Sequence, residues 1–368
     1  MPTLIDADLL RAWLDARHPV TVLDVRTDED RAQWAIPGSL HVNAYAALRG
    51  GQPGALATLE LPADRPVVTV CNAGGISQAA ADVLGQRGFD ARSLAGGMKA
   101  WSLAWNVADV PLADTSVQVV QVRRTGKGCL SYIVGSQGTA VVIDASVSPQ
   151  VYLDLAQARG WTIRSVLDTH RHADHLSRAR EVARLSGATL VLPRYDQVRF
   201  PHTTIADGEH VDAGAARLTA MHTPGHTTDS TAYVLNDAAV FTGDTLFING
   251  VGRPDLHAAP AAARERARLL FDSLSRLRRL APNLTVLPGH ASAPVAFDGR
   301  AIAAPMADVA AWLRRWLESE SAFVDRVTSN LPPTPPNFAR IVELNEAGDL
   351  PIDGVIELEA GANRCAVT

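Results

Sequence analysis

The stretch DTHRHADH, residues 168–175, constrains this chain more than any other. It sets His170, His172, Asp174 and His175 directly behind a strand-like run, IRSVLDT. Side chains at the carboxyl end of a strand can converge on a common crevice. His170 and His172, two apart, can face the same way, while Asp174 and His175 turn back from the start of the next helix. Three imidazoles and a carboxylate do not share a core unless something balances the acid and occupies the nitrogen lone pairs. A transition metal does both. Further along, MHTPGH, FTGDTLF and VLPGHA place His222, Asp244 and His290, each just past another strand-like run. His18, His41, His202, His210 and His257 stand apart and read as ordinary surface or hydrogen-bonded histidines.

A chain of 368 residues exceeds what one hydrophobic core usually supports, so two domains are expected. Hydrophobic residues make up 47% and charged residues 20%, the make-up of a globular protein. A formal net charge of −5 gives no reason to expect nucleic acid as a partner. Arg276, Arg278 and Arg279 sit in a helical pattern with Leu277 and Leu280 and read as a solvated face. Cys71, Cys129 and Cys365 are too widely spaced for a disulfide framework, which fits a reducing compartment. The first residues, MPTLIDADLLRAWLDARHP, carry acids throughout and read as an amphipathic helix rather than a secretory signal. No run approaches the ~20 apolar residues of a membrane span. The expectation is a cytoplasmic protein without a membrane or nucleic-acid partner; a homo-oligomer stays open.

Two styles of chain follow one another. In residues 1–108, VTVLDV (20–25) and PVVTVC (66–71) read as buried strands and SQAAADVLGQRGF (77–89) as a helix ending at Gly88, the pattern of an α/β domain with a parallel sheet. A linker is expected over 109–116, where periodicity is lost. Residues 117–330 begin with three strands split by turns, VQVVQV, CLSYIV and TAVVID, and continue with helices at 149–159 and 261–280 and a strand at 284–288. That order suits an αββα sandwich. The proline-rich tail, 331–368, is expected to pack on this second domain, and its sequence carries no readable chemistry.

The second domain resembles the metallo-β-lactamase superfamily. Its H-x-H-x-D-H motif stands here as His170, His172, Asp174 and His175, followed by the later ligands as His222, Asp244 and His290. Absence of an export signal, the aspartate at 244 and the short 244–290 interval set aside the exported lactamases and the nucleic-acid-processing branches. Two branches remain. Glyoxalase II-type thioester hydrolases use all seven ligands for two metals, typically zinc. Persulfide dioxygenases use one Fe(II) per chain in a two-histidine, one-carboxylate clamp with open positions. For the latter the resemblance assigns His170, His222 and Asp244 as ligands, with His172, Asp174, His175 and His290 orienting ligands or water, or holding a second metal. The stretch GVGRPDL is closer to the dioxygenase version of the loop, and Arg253 is expected to hold a carboxylate of the thiol substrate; a structural pair with Asp255 is the alternative.

The first domain is similar to rhodanese sulfurtransferases, on VCNAGGISQAA, LAGGMKAW and LDVRTDEDRAQWAIPGSLHVN. Cys71 stands at the family's persulfide-forming position. Asn72, Ala73, Gly74, Gly75, Ile76 and Ser77 form the loop, with Ser77 expected as a helix N-cap and the loop as an anion cradle. The arginines frequent in that loop are replaced by Asn72 and Ile76. Together the resemblances imply an α/β protein that turns a low-molecular-weight persulfide such as glutathione persulfide, with O2 and water, into thiol and sulfite, and moves sulfane sulfur between a persulfide, sulfite and thiosulfate through a Cys71 persulfide. A glyoxalase II-like hydrolase with a rhodanese domain is the alternative. A sulfur-carrying protein without turnover is a third reading.

Overall fold

A computed structural model describes residues 3–195, 197–256, 258–291, 293–329, 331–351, 353–361 and 364–367. His257 lies outside them.

The first domain is built on five parallel strands in the order Thr3–Ile5, Ala91–Leu94, Val67–Val70, Thr21–Asp24, Leu40–His41. Thr21–Asp24 and Val67–Val70 are buried along their whole length, as continuous apolar runs in a covered parallel sheet should be. The helix Gly75–Gln86 follows the second of these and closes over Gly88, whose φ is +92°.

Two sheets face each other in the second domain. One has seven strands: Thr203–Ile205, Thr189–Pro193, Thr162–Leu167, Thr139–Ile143, Leu130–Ser136, Gln118–Arg124 and Trp105–Val110. The other has six: His210–Ala213, Ala216–His222, Thr231–Leu235, Ala239–Gly243, Thr285–Pro288 and Ala304–Pro305. Period-two alternation divides the burial. Leu130, Tyr132 and Val134 point between the sheets at Leu218, Tyr233, Phe241 and Leu287. Their neighbour Ile133 points the other way, under the helices Pro149–Ala158 and Ala179–Ser186. On the far face, Val240 and Val286 pack beneath Pro260–Leu277, Met306–Trp316 and Glu320–Ser329. The layering is the expected αββα.

One expectation changes. Residues 109 and 110, assigned to a linker, belong to the edge strand Trp105–Val110, which pairs antiparallel with Gln118–Arg124 over six residues. Its alternate residues Asn106, Ala108 and Val110 are buried. The strand leaves almost no slack between the halves: Thr125 N–H donates to Ala104 O at 2.9 Å, and Arg124 Nη2 donates to Ser102 O at 2.8 Å. The tail, whose sequence carried no readable chemistry, takes a definite structure. It forms helices Phe338–Ala347 and Val355–Glu359 and a strand, Ala366–Val367, that pairs with Val251–Gly252. No helix among the described residues is long and apolar enough to cross a membrane.

Candidate metal centre and sulfur loop

Four strand ends meet at one edge of the sandwich. Thr162–Leu167 delivers Asp168, Thr169 and His170; Ala239–Gly243 delivers Asp244; Thr285–Pro288 delivers His290. The turn between Ala216–His222 and Thr231–Leu235 delivers His226. Gly243 stands at φ +49°, and a Cβ there would press on Thr169 Oγ1 at 2.5 Å. Glycine is what lets the Asp244 strand end approach the His170 strand end.

Among the described residues the titratable groups sort into three close sets: His170, His226 and Asp244; Asp144, Asp168 and His172; Cys129, Asp174, His175 and His290. All are buried. In the first set, His170 Nε2 and His226 Nε2 lie 3.9 and 3.7 Å from Asp244 Oδ2. An ion about 2.0–2.2 Å from such donors separates them by about 3–3.5 Å, so small closures suffice. That Asp244 oxygen is buried without a hydrogen-bond partner.

The neighbours fix both rings. Thr169 Oγ1 lies 3.1 and 2.9 Å from the two oxygens of Asp144, to which its hydroxyl donates; it therefore accepts from His170 Nδ1–H at 2.9 Å. His226 Nδ1–H donates to Arg253 O at 2.8 Å. Each imidazole is left with its Nε2 lone pair facing Asp244. Burial, helped by the His172 charge, holds His170 well below the usual imidazole range, and burial lowers His226 as well. Burial raises Asp244, but His290, His170 and His226 outweigh it and keep the carboxyl ionised.

The remaining motif histidines lie against buried acids. His172 Nε2 lies 3.3 Å from Asp144 and 3.7 Å from Asp168; burial opposes its charge, yet the two acids hold it well above the usual range. His290 spans Asp244 Oδ1 at 2.5 Å and Asp174 Oδ2 at 2.8 Å, and it too is held protonated by those acids against burial.

His222 is the chief correction. It was expected in the clamp, but it ends a strand half-exposed, stacked on Tyr195 with its Nε2 3.0 Å from Thr228 O. Four residues later, after the Pro224–Gly225 turn, His226 stands where His222 was expected. Both histidines lie in MHTPGH, and the readable signal was that turn, with Gly225 at φ +145°, which redirects the chain inward. Arg253 is a second correction. It is buried and pairs through Nε and Nη2 with Asp255, both at 2.7 Å, while Nη1 donates to Pro333 O and Arg364 O. Four of its five N–H donors are thereby used within the protein, and the Asp255 pairing is the one given as the alternative reading. Its carbonyl is what holds His226.

The tail completes the centre. Asn345 Nδ2 donates to His172 O and His175 O, both at 2.9 Å, and its Oδ1 accepts from Ser177 N–H. A cavity of about 420 Å³ opens beside His290, lined by Phe247, Ile248 and Asn249.

In the first domain Cys71 is buried, and its Sγ accepts from the backbone N–H groups of Gly74 at 3.1 Å and Ser77 at 3.3 Å. Ser77 is not the N-cap. Gly74, at φ +92°, takes that position and Ser77 lies in the first turn, its Oγ 2.8 Å from Ser93 Oγ and donating to Gly74 O. Gly75 and Ala73 are exposed and Ile76 is half-buried. Asn72 faces an acid rather than supplying a cation, its amide donating to Asp30 at 2.8 Å.

Residues 124–290 match the metallo-β-lactamase superfamily, and residues 6–104 match the rhodanese-like domain. The chain therefore carries a rhodanese-like domain followed by a metallo-β-lactamase-fold domain. Among curated proteins it is 33% identical over 182 residues to hydroxyacylglutathione hydrolase of Rhodospirillum rubrum, covering 49% of this chain and 63% of that protein. It is 36% identical over 159 residues to the Methylococcus capsulatus protein of that name, covering 42% and 58%. The chain thus spans less than two thirds of the length of these relatives. Among solved structures, ETHE1 from Myxococcus xanthus superposes with a TM-score of 0.52 at 28% identity, covering 62% of this chain and 97% of that one. A metallo-β-lactamase from Staphylococcus aureus superposes at 0.56 with 24% identity, covering 64% and 74%, a likeness of fold.

Proposed function

We propose that this chain is a persulfide dioxygenase joined to a rhodanese-type sulfurtransferase. Its overall reaction is RSSH + O2 + H2O → RSH + H2SO3, with RSH glutathione or a similar small thiol. The observation that carries this reading is the division of the motif. The Nε2 atoms of His170 and His226 face Asp244 Oδ2, while His172 lies against Asp144 and Asp168 and His290 lies between Asp174 and Asp244. A ferrous ion on His170, His226 and Asp244 would have open positions and would supply the redox chemistry that joins dioxygen to sulfur. The chain's own residues do the rest: Thr169 and the Arg253 carbonyl hold the rings, His290 fixes Asp244, and the cavity beside His290 receives the thiol. In the first domain, Cys71 Sγ attacks the donor's sulfane sulfur; the new S–S bond forms as the donor leaves as thiol or sulfite, an acceptor thiolate or sulfite then takes the outer sulfur and frees Cys71, and the Gly74 and Ser77 N–H groups stabilise the sulfur anion.

Asp244→Asn should abolish persulfide-dependent oxygen uptake and leave sulfur transfer intact, and Cys71→Ser should do the reverse. Oxygen uptake retained in Asp244→Asn would remove the clamp assignment. A second reading, a binuclear thioester hydrolase, is favoured by the names of the curated relatives. It requires His172 and His290 to give up their acid partners, and expects turnover of S-lactoylglutathione without oxygen.

A further inference from the structure

We infer that the cavity beside His290 takes a peptide-like thiol with a free terminal carboxylate, and that Arg300 is the residue that binds this carboxylate. The inference rests on the reading above in one respect, that this cavity receives the thiol. At about 420 Å³ the cavity lies in the range of small-molecule sites and is larger than dioxygen or sulfite would need. Phe247, Ile248, Val295 and Ile302 give it apolar lining. Few polar groups stand among them, so each one without a partner bears on what the cavity holds.

Arg123 and Arg300 both line the cavity, and they are used in opposite ways. Arg123 is buried and committed to the protein: Nε donates to Asn106 Oδ1 at 2.8 Å, Nη2 to Ala296 O at 3.1 Å, and Nη1 to Asp298 Oδ1 at 3.3 Å and to Arg300 O. Asp298 Oδ1 in turn accepts from Arg300 N–H at 2.9 Å. The backbone of Arg300 is therefore held at its N–H and at its carbonyl. Its guanidinium is exposed and makes no hydrogen bond or ion pair among the described residues. His290, the third cationic group of the lining, lies between Asp174 and Asp244. A fixed backbone carrying an unused guanidinium is a placed anion binder.

The chemistry of that group selects its partner. A guanidinium fork matches a carboxylate through two parallel N–H donors. An amino-acid end would bring its own ammonium toward Arg300, and the nearby acid that could receive it, Asp298, is already paired with Arg123. A C-terminal carboxylate brings no such charge. Asn249, exposed on the same cavity and without a hydrogen bond among the described residues, offers an amide to a peptide bond. A glutathione-like thiol would thus set its terminal glycine carboxylate on Arg300, leaving its sulfur for the His290 end. A thiol lacking that carboxylate could still cover the apolar lining but would lose the anchor that orients it.

The test is calorimetric titration of the full chain with reduced glutathione, and with its glycine ethyl ester, which lacks only that charge. Neither ligand needs oxygen or turnover. The wild type should bind glutathione about 10-fold more tightly than the ester. Arg300→Gln should bring glutathione down to the affinity of the ester and leave the ester where it was. Arg300→Lys should recover part of the difference, because an ammonium keeps the charge without the fork. Since Arg123 and Asp298 hold only the backbone of Arg300, both variants should unfold with the wild-type curve. Equal affinity of acid and ester for the wild type, equal weakening of both in Arg300→Gln, or no measurable binding of glutathione would each overturn the inference. Hydrolysis of S-lactoylglutathione in place of oxygen uptake would sink the dioxygenase reading and leave this one standing, since glutathione is the product of either reaction.

Discussion

Four residues separate His222 from His226, and the turn between them decides which imidazole reaches the centre. His226→Ala removes a ring whose Nδ1 is anchored on Arg253 O and whose Nε2 faces Asp244. Bound iron should be lost, and persulfide-dependent oxygen uptake should fall by more than the ~10–100-fold typical of losing an outer partner. His222→Ala touches a half-exposed ring and should keep the metal, with stability changed by no more than ~0.5 kcal/mol. Metal content and oxygen uptake of the two variants, side by side, check this; equal losses would return His222 to the clamp. At this scale the sequence located His170, Asp244 and the stretch containing the third ligand, because strand ends are legible from apolar runs. It missed which histidine of MHTPGH turns inward, because that depends on Pro224–Gly225 geometry. The contact of Cys129 Sγ with Asp174 Oδ2, between residues far apart in the chain, was equally out of its reach.

The elements around the centre explain more than the ligands do. Strands were readable where alternation is strong, as in CLSYIV, and the linker was misjudged because Trp105–Val110 is an edge strand with a weak pattern. The tail was opaque for a physical reason: its chemistry consists of contacts to residues over a hundred positions away. Asn345 cross-links the histidine loop, and Ala366–Val367 pairs with Val251–Gly252. Gly252 is the tight point of that pairing, since a Cβ there would overlap Asp244 O and stand 2.9 Å from His226 Cβ. Gly252→Ala should therefore cost about 1–3 kcal/mol and weaken iron retention together, measured by denaturant unfolding and metal analysis. Lost stability with unchanged iron affinity would show that this strand supports the fold and not the centre.

Across the whole molecule, one carboxylate ties the tail to the region where the two domains meet. Glu359, fully buried, accepts from Arg124 Nη1 at 2.7 Å, Arg178 Nη2 at 3.2 Å and Leu176 N–H at 2.9 Å. Burial raises its pKa, but Arg124 and Arg178 outweigh that and leave it below the ordinary glutamate value. A depressed acid contributes stability that is complete above its unfolded value, about 4.3, and is lost as pH falls through the folded one. Wild-type stability should thus drop on acidification below about pH 4.3. Glu359→Gln should cost about 3–5 kcal/mol at neutral pH, because Arg124 is left uncompensated, and should flatten the acid slope. Urea unfolding across pH reads both, and an unchanged slope would remove Glu359 from the account. One chain thus holds a candidate sulfur loop and a candidate metal centre, and the measurement that tests the proposed chemistry most directly is an oxygen-electrode trace. Adding glutathione persulfide to the iron-loaded protein should consume oxygen in step with sulfite formation, and His226→Ala should give a flat line. A flat line from the wild type, with S-lactoylglutathione hydrolysed instead, would contradict the central claim.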